Sequence, residues 1–203
     1  FNVVPKTDTG DLAQEFTATE ATVGLRAKKT FGLATVRLET GGQLGERAGS
    51  QADVYAYHVD ADVMVSAAER LILGVGGQYA SGDDPDSESL ESWNQLYPTA
   101  HKFLGLMDVM GGRSNVASGI GKLRAPLRKD LKLGLDAHLF FRPETPSGVD
   151  SYTGFETDAW AALTLGRGLS LRCMYAAFVP HQDGPFGEDS PAHYGELQLR
   201  YKR

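Results

Sequence analysis

Apolar and polar residues alternate one by one along most of this chain, and that rhythm constrains the fold more than any other feature. A strand turns successive side chains to opposite faces, so a two-residue period sets one apolar face against one polar face. In residues 21–28, Ala21, Val23, Leu25 and Ala27 oppose Thr22, Gly24, Arg26 and Lys28. Residues 31–40 set Ala34, Val36 and Leu38 against Arg37 and Glu39. Tyr55, Tyr57, Val59, Ala61, Val63 and Val65 then oppose Ala56, His58, Asp60 and Asp62. Leu71, Leu73, Val75 and Tyr79 continue against Gly74, Gly76 and Gln78. The clearest run sets Leu131, Leu133, Leu135, Ala137, Leu139 and Phe141 against Lys132, Gly134, Asp136, His138 and Arg142. Ala159 to Leu165, Leu169 to Ala177 and Leu197 to Tyr201 repeat the pattern, while residues 115–125 form a weaker strand of undecided facing. The reading is all-β and antiparallel, with about nine strands in one domain over residues 1–203.

The connections sort by length. Short ones fall at Lys29-Thr30, 67–70, 127–130 and 166–168, and long ones at about 41–50, 82–114, 143–154 and 179–192. Tight turns at one end and long loops at the other are the habit of a transmembrane β-barrel. A sandwich need not sort its connections this way. Charges sit mid-strand on the polar face, which suits a wet lumen, and Tyr55, Tyr79, Phe141, Tyr175 and Tyr201 lie near strand ends, as in an interfacial girdle. A soluble barrel or sandwich with a wet outer face is the competing reading.

No stretch approaches the roughly 18 apolar residues of a membrane helix. At 41% hydrophobic residues the average is modest, but barrel strands hide apolar residues at alternate positions, so this does not argue against lipid. The single cysteine, Cys173, permits no internal disulfide, and a net charge of -6 argues against a general nucleic-acid binder.

The long connection carries a more specific signal. Tyr79-Ala80-Ser81-Gly82-Asp83-Asp84 leads into Trp93-Asn94-Gln95-Leu96-Tyr97-Pro98-Thr99-Ala100-His101-Lys102-Phe103-Leu104-Gly105-Leu106-Met107-Asp108. This resembles the alginate-export family, in which a strand ending in S-G-D precedes an aromatic-x-x-L-[FY]-P-[ST]-G-H-x-[FY]-x-G-x-x-D segment; Ala100 replaces the usual Gly. Gly154-Phe155-Glu156-Thr157-Asp158 is similar to the family's G-x-E-x-D strand opening, and Leu169-Ser170-Leu171 to its N-L-S-L strand. The resemblance spans Val75 to the C-terminus. It implies an outer-membrane barrel that passes polysaccharide, in the type case anionic alginate. The last strand supports this with Gly195, Leu197, Leu199 and Tyr201, although Lys202-Arg203 follow the aromatic that is usually terminal. Bacterial single-chain barrels have even strand numbers. The family's barrels have about twice as many strands, wide enough for a polymer. The chain is therefore expected to be the C-terminal half of a larger barrel. A complete barrel of about eight or ten strands, with a further strand at Phe1–Val4, is the alternative.

Candidate lumen groups are Arg26, Lys28, Arg37, Lys132, Arg142 and Arg172, with Lys122 and Arg124 beside them and Asp136 and Asp158 as acidic counterparts. An Arg fork pairs with carboxylate through two parallel bonds, so a row of them guides a polyuronate. Alternatively, these cations pair with Glu39, Asp60, Asp62, Asp136 and Asp158 and stabilise the wall. Residues 82–114 are expected to form a partly structured extracellular loop, with a short helix near 103–110 packed at the barrel mouth. Trp93, Tyr97, Pro98, His101, Phe103 and Asp108 are its gating candidates. The acidic run Asp83, Asp84, Asp86, Glu88 and Glu91 reads as solvated loop charge or a weak Ca²⁺ site without EF-hand spacing.

His58, His101, His138, His181 and His193 show no metal spacing, and no G-x-S-x-G occurs, so neither cofactor, metal nor enzyme activity is expected. The expected function is passive passage of a polysaccharide or other polar solute. A membrane-embedded scaffold for other envelope proteins is the alternative. Partners are then outer-membrane lipid and lipopolysaccharide, an anionic polysaccharide or envelope proteins, and not nucleic acid.

Overall fold

The computed structural model describes residues 19–46, 52–96, 104–187 and 190–202; the strand considered at Phe1–Val4 lies outside them. Nine strands form one sheet: β1 (Thr19–Phe31), β2 (Ala34–Glu46), β3 (Asp53–Ala68), β4 (Leu71–Ala80), β5 (Val116–Ala125), β6 (Leu131–Phe141), β7 (Tyr152–Gly166), β8 (Leu169–Pro180) and β9 (Ala192–Tyr201). Each pairs antiparallel with its neighbour in sequence, in the order β1 to β9. The sheet is that of a partial barrel: among the described residues β1 and β9 do not pair and the sheet does not close. The strands run from 10 residues in β4 to 16 in β3, long enough for the roughly 9–11 tilted residues that cross a hydrocarbon core.

Two boundaries differ from the sequence reading. The first hairpin turns at Gly32-Leu33 and not at Lys29-Thr30, because Gly32 supplies the left-handed turn residue at φ 56° and the Thr30 and Thr35 hydroxyls meet at 3.0 Å across it. β2 continues to Glu46, so most of the loop expected at 41–50 is strand. Gly41, Gly42 and Gly45 hid the alternation, and tertiary contacts hold the ladder there. Gln43 is fully buried and bonds the Asn94 backbone in both directions, each at 2.8 Å. A Cβ on Gly41 would press on His58 and Trp93 at 3.0 Å.

Pairing also decides the facing of β5. Ser118, Ile120, Lys122 and Arg124 lie opposite Gln78, Gly76, Gly74 and Ile72 and share their face. The short helix expected near 103–110 is absent over the described residues 104–110. Gly105, Asp108 and Gly111 adopt φ of 83°, 51° and 70°, which breaks a helix, and two of the segment's amides go to carboxylates on β7.

The two faces differ sharply. On the outer face Val23, Val75, Leu197 and Leu199 are 74%, 66%, 68% and 69% exposed, so nothing among the described residues covers this apolar surface. On the inner face, toward the long-loop end, Trp93, Leu104 and Met110 of the β4–β5 connection pack with Val54, Val116, Phe140 and Phe178 of the strands. The core therefore lies between the sheet and its own loop.

Candidate functional site

The β4–β5 connection crosses the inner face as a strap with several anchors. Near β3 it forms a parallel bridge, Tyr55 N donating to Leu90 O at 3.0 Å and Leu90 N to Asp53 O at 2.8 Å. Trp93 then lies against His58 with ring centroids 4.3 Å apart. Across the sheet, Leu106 N donates to Asp158 Oδ2 at 3.1 Å and Met107 N to Glu156 Oε1 at 3.0 Å. Arg142 closes the strap with bonds to the carbonyls of Met110, Ser114 and Asn115 at 3.0, 3.1 and 3.2 Å. Arg113 reaches Asp60 Oδ2 at 3.3 Å. Burial pushes the pKa of both Arg113 and Arg142 down from the ordinary arginine value, opposed at Arg113 by the Asp60 carboxylate. The acidic run serves the same loop: Asp83 Oδ1 accepts Glu91 N at 2.8 Å and Asp84 Oδ1 accepts Asp86 N at 2.9 Å.

Beneath the strap, acids and bases are interleaved by the strand register. Arg37 bonds Asp60 and Asp62, each at 2.5 Å, and Lys122 approaches Asp62 at 3.8 Å from β5. Arg124 grips Asp136 with two bonds of 2.5 and 2.8 Å. His138 Nε2 lies 3.3 Å from Asp158 Oδ2, both side chains 3% exposed. Toward the short-turn end the balance changes. Lys28 and Lys132 are exposed on the inner face and carry no ion pair among the described residues. Arg172 has none either, its guanidinium lying over the Trp160 ring 5.3 Å from the centroid.

The predicted residues thus take different roles. Arg37, Asp136 and Asp158 belong to partly buried networks, with Lys122 and Arg124 as partners. Arg26, with 62% of its side chain exposed, lies 3.6 Å from Glu39. Lys28, Lys132 and Arg172 lie on the inner face without an acid partner among the described residues. Arg142 holds the strap. Of the gating candidates, Trp93 is buried on His58 and Asp108 forms a turn, its carbonyl accepting Gly111 N at 2.9 Å. Tyr97, Pro98, His101 and Phe103 lie outside the described residues.

Four groups were not among the site residues expected from the sequence: Gln43, Arg113, Trp160 and Glu156, the last named only as part of the G-x-E-x-D motif. For Trp160 the signal was available, since in Glu156-Thr157-Asp158-Ala159-Trp160 a two-residue period puts the indole on the face of the two acids. Gln43 and Arg113 act across more than fifty residues of chain, and no local pattern announces them. Together Trp160, Arg172, Arg124, Asp136 and His138 border a recess of about 240 Å³, roofed by Gly105 and Leu106 of the strap.

The arrangement is a charged, partly strapped inner face backed by an apolar outer one. No curated protein matches the chain. The family described as "Alginate export" matches residues 6–187, nearly the whole sequence. The chain therefore belongs to the alginate-export family, whose transport is membrane-associated.

Proposed function

We propose that this sheet lines a water-filled channel in the Gram-negative outer membrane, through which an anionic polysaccharide of the alginate type, or another polar solute, passes passively. One observation carries the reading: the inner face is charged while the outer face is an uncovered apolar band. An apolar band of that kind suits acyl chains and lipopolysaccharide, and a polar interior suits water. The family match supports the cargo class. Cations without acid partners among the described residues toward the short turns favour a polyanion entering from the periplasmic side, held weakly at several sites so that it also leaves. No chemical step is involved in this reading.

A membrane-embedded scaffold that binds other envelope proteins is the second reading, favoured by the unpaired edges of β1 and β9 among the described residues. Planar-bilayer recording of the intact native protein separates the two. A channel gives discrete conductance steps that a short alginate oligosaccharide blocks. A protein that inserts without conducting would favour the scaffold.

A further inference from the structure

Across β5, β6 and β7, Arg124, Gly134 and Trp160 stand in one register row of the inner face. The indole lies over Gly134, where any Cβ would collide with it. Arg124 and Arg172 approach the ring from β5 and β8, each guanidinium carbon 5.3 Å from the centroid. The two cations differ in what remains for a ligand. Arg124 is committed to Asp136 by two bonds, whereas Arg172 has no acid among the described residues. The ring is half-buried and borders the 240 Å³ recess. His138 borders it too, 3% exposed, with Nδ1 lacking a hydrogen-bond partner among the described residues.

We propose that Trp160 and Arg172 form a sugar-binding platform that takes one uronate unit of the passing polymer and makes the wall selective for sugar-borne carboxylates over other polyanions. This rests on the polysaccharide reading above. A pyranose ring has an apolar C–H face and a hydroxylated edge, and its hydrogens meet the negative face of the indole. The carboxylate at the ring's edge meets the guanidinium fork of Arg172. The recess is smaller than the roughly 300–1,000 Å³ pockets of drug-sized ligands, a size for one sugar ring and not for an oligosaccharide. A flexible polyanion without rings satisfies Arg172 and leaves Trp160 unused. Cation–π contact leaves the Arg172 charge unneutralised, so as the sugar takes the ring face the guanidinium turns from it to the carboxylate at the sugar's edge.

The test compares two blockers of the reconstituted native protein, an alginate oligosaccharide and poly-L-glutamate of matched charge. Trp160→Leu keeps apolar bulk over Gly134 and removes the ring, while Trp160→Phe keeps a ring. The expected result for W160L is an increase of about tenfold in the half-blocking oligosaccharide concentration, with poly-L-glutamate shifted less than about twofold. W160F stays within about threefold of the native protein for both blockers. Equal shifts for the two blockers in W160L would overturn the platform, because the ring would then only support Arg172. W160L and W160F behaving alike toward the oligosaccharide would overturn it as well. A native protein that conducts but is not blocked by the oligosaccharide defeats the polysaccharide reading itself, and this inference with it.

Discussion

The Met107 amide donates to Glu156 Oε1 at 3.0 Å, and that same carboxylate leaves Gly105, two residues earlier, no room for a side chain. Gly105 also sits at φ 83°, where only glycine is unstrained. The strap is thus fitted to β7 by its backbone. Gly105→Ala combines a collision with left-handed strain of about 1–3 kcal/mol and should lift the strap from Glu156. The expected outcome is larger single-channel conductance and faster proteolysis within residues 104–113. Unchanged conductance would mean that the strap does not narrow the path.

Arg142 bonds three strap carbonyls from one planar guanidinium, and burial depresses its pKa without removing its charge at neutral pH. A lysine ammonium lacks that fork. Arg142→Lys should therefore behave nearly as Arg142→Ala, each loosening the strap by about 1.5–3 kcal/mol in hydrogen bonds made by a charged group. Hydrogen exchange at Met110 and Asn115 measures this. Protection retained in R142K but lost in R142A would show that charge alone holds the strap.

Leu135 points outward from the middle of β6 and is 47% exposed. If lipid covers this face, Leu135→Arg should cost about 2–4 kcal/mol of folding in a bilayer, the range for a cation near the midplane. Ala162→Arg, one strand away on the inner face, should cost much less. Folding yield into lipid vesicles compares them, and equal yields would count against the membrane reading.

Outside the strands, Asp150 accepts Tyr152 N at 3.0 Å and lies 3.3 Å from His181 Nε2. The Tyr152 amide, with help from His181, holds its carboxyl below the ordinary aspartate value. A lowered pKa means that the folded loop favours the ionised form. Its contribution is fully present above the unfolded value of about 3.9 and is lost as pH falls through the lowered one. Proteolysis across residues 145–152 should therefore be faster in Asp150→Ala at neutral pH, with native and variant converging in strong acid. A difference that persists there would assign the effect to packing.

The nine strands, and the facing of all but β5, were legible because a strand's two-residue period writes each side chain's face into its position. Arg26, Lys28, Arg37, Lys132, Asp136, Asp158 and Arg172 all lie on the inner face for that reason. That period is lost where glycine interrupts the apolar rhythm. Gly41-Gly42 read as a loop, yet β3 and Trp93 hold that backbone extended.

The amino-acid pattern alone therefore determined a charged face backed by an apolar one, and the alginate-export family was readable in the 79–108 segment. Only the tertiary structure decided which charges remain available. Coulomb pairing and hydrogen bonding act over a few ångströms in space, whatever the separation in sequence. Arg142, predicted for the lumen, is occupied by strap carbonyls, and Arg37 by Asp60 and Asp62. Arg172 is left without a carboxylate partner among the described residues because strand register brings it to an indole.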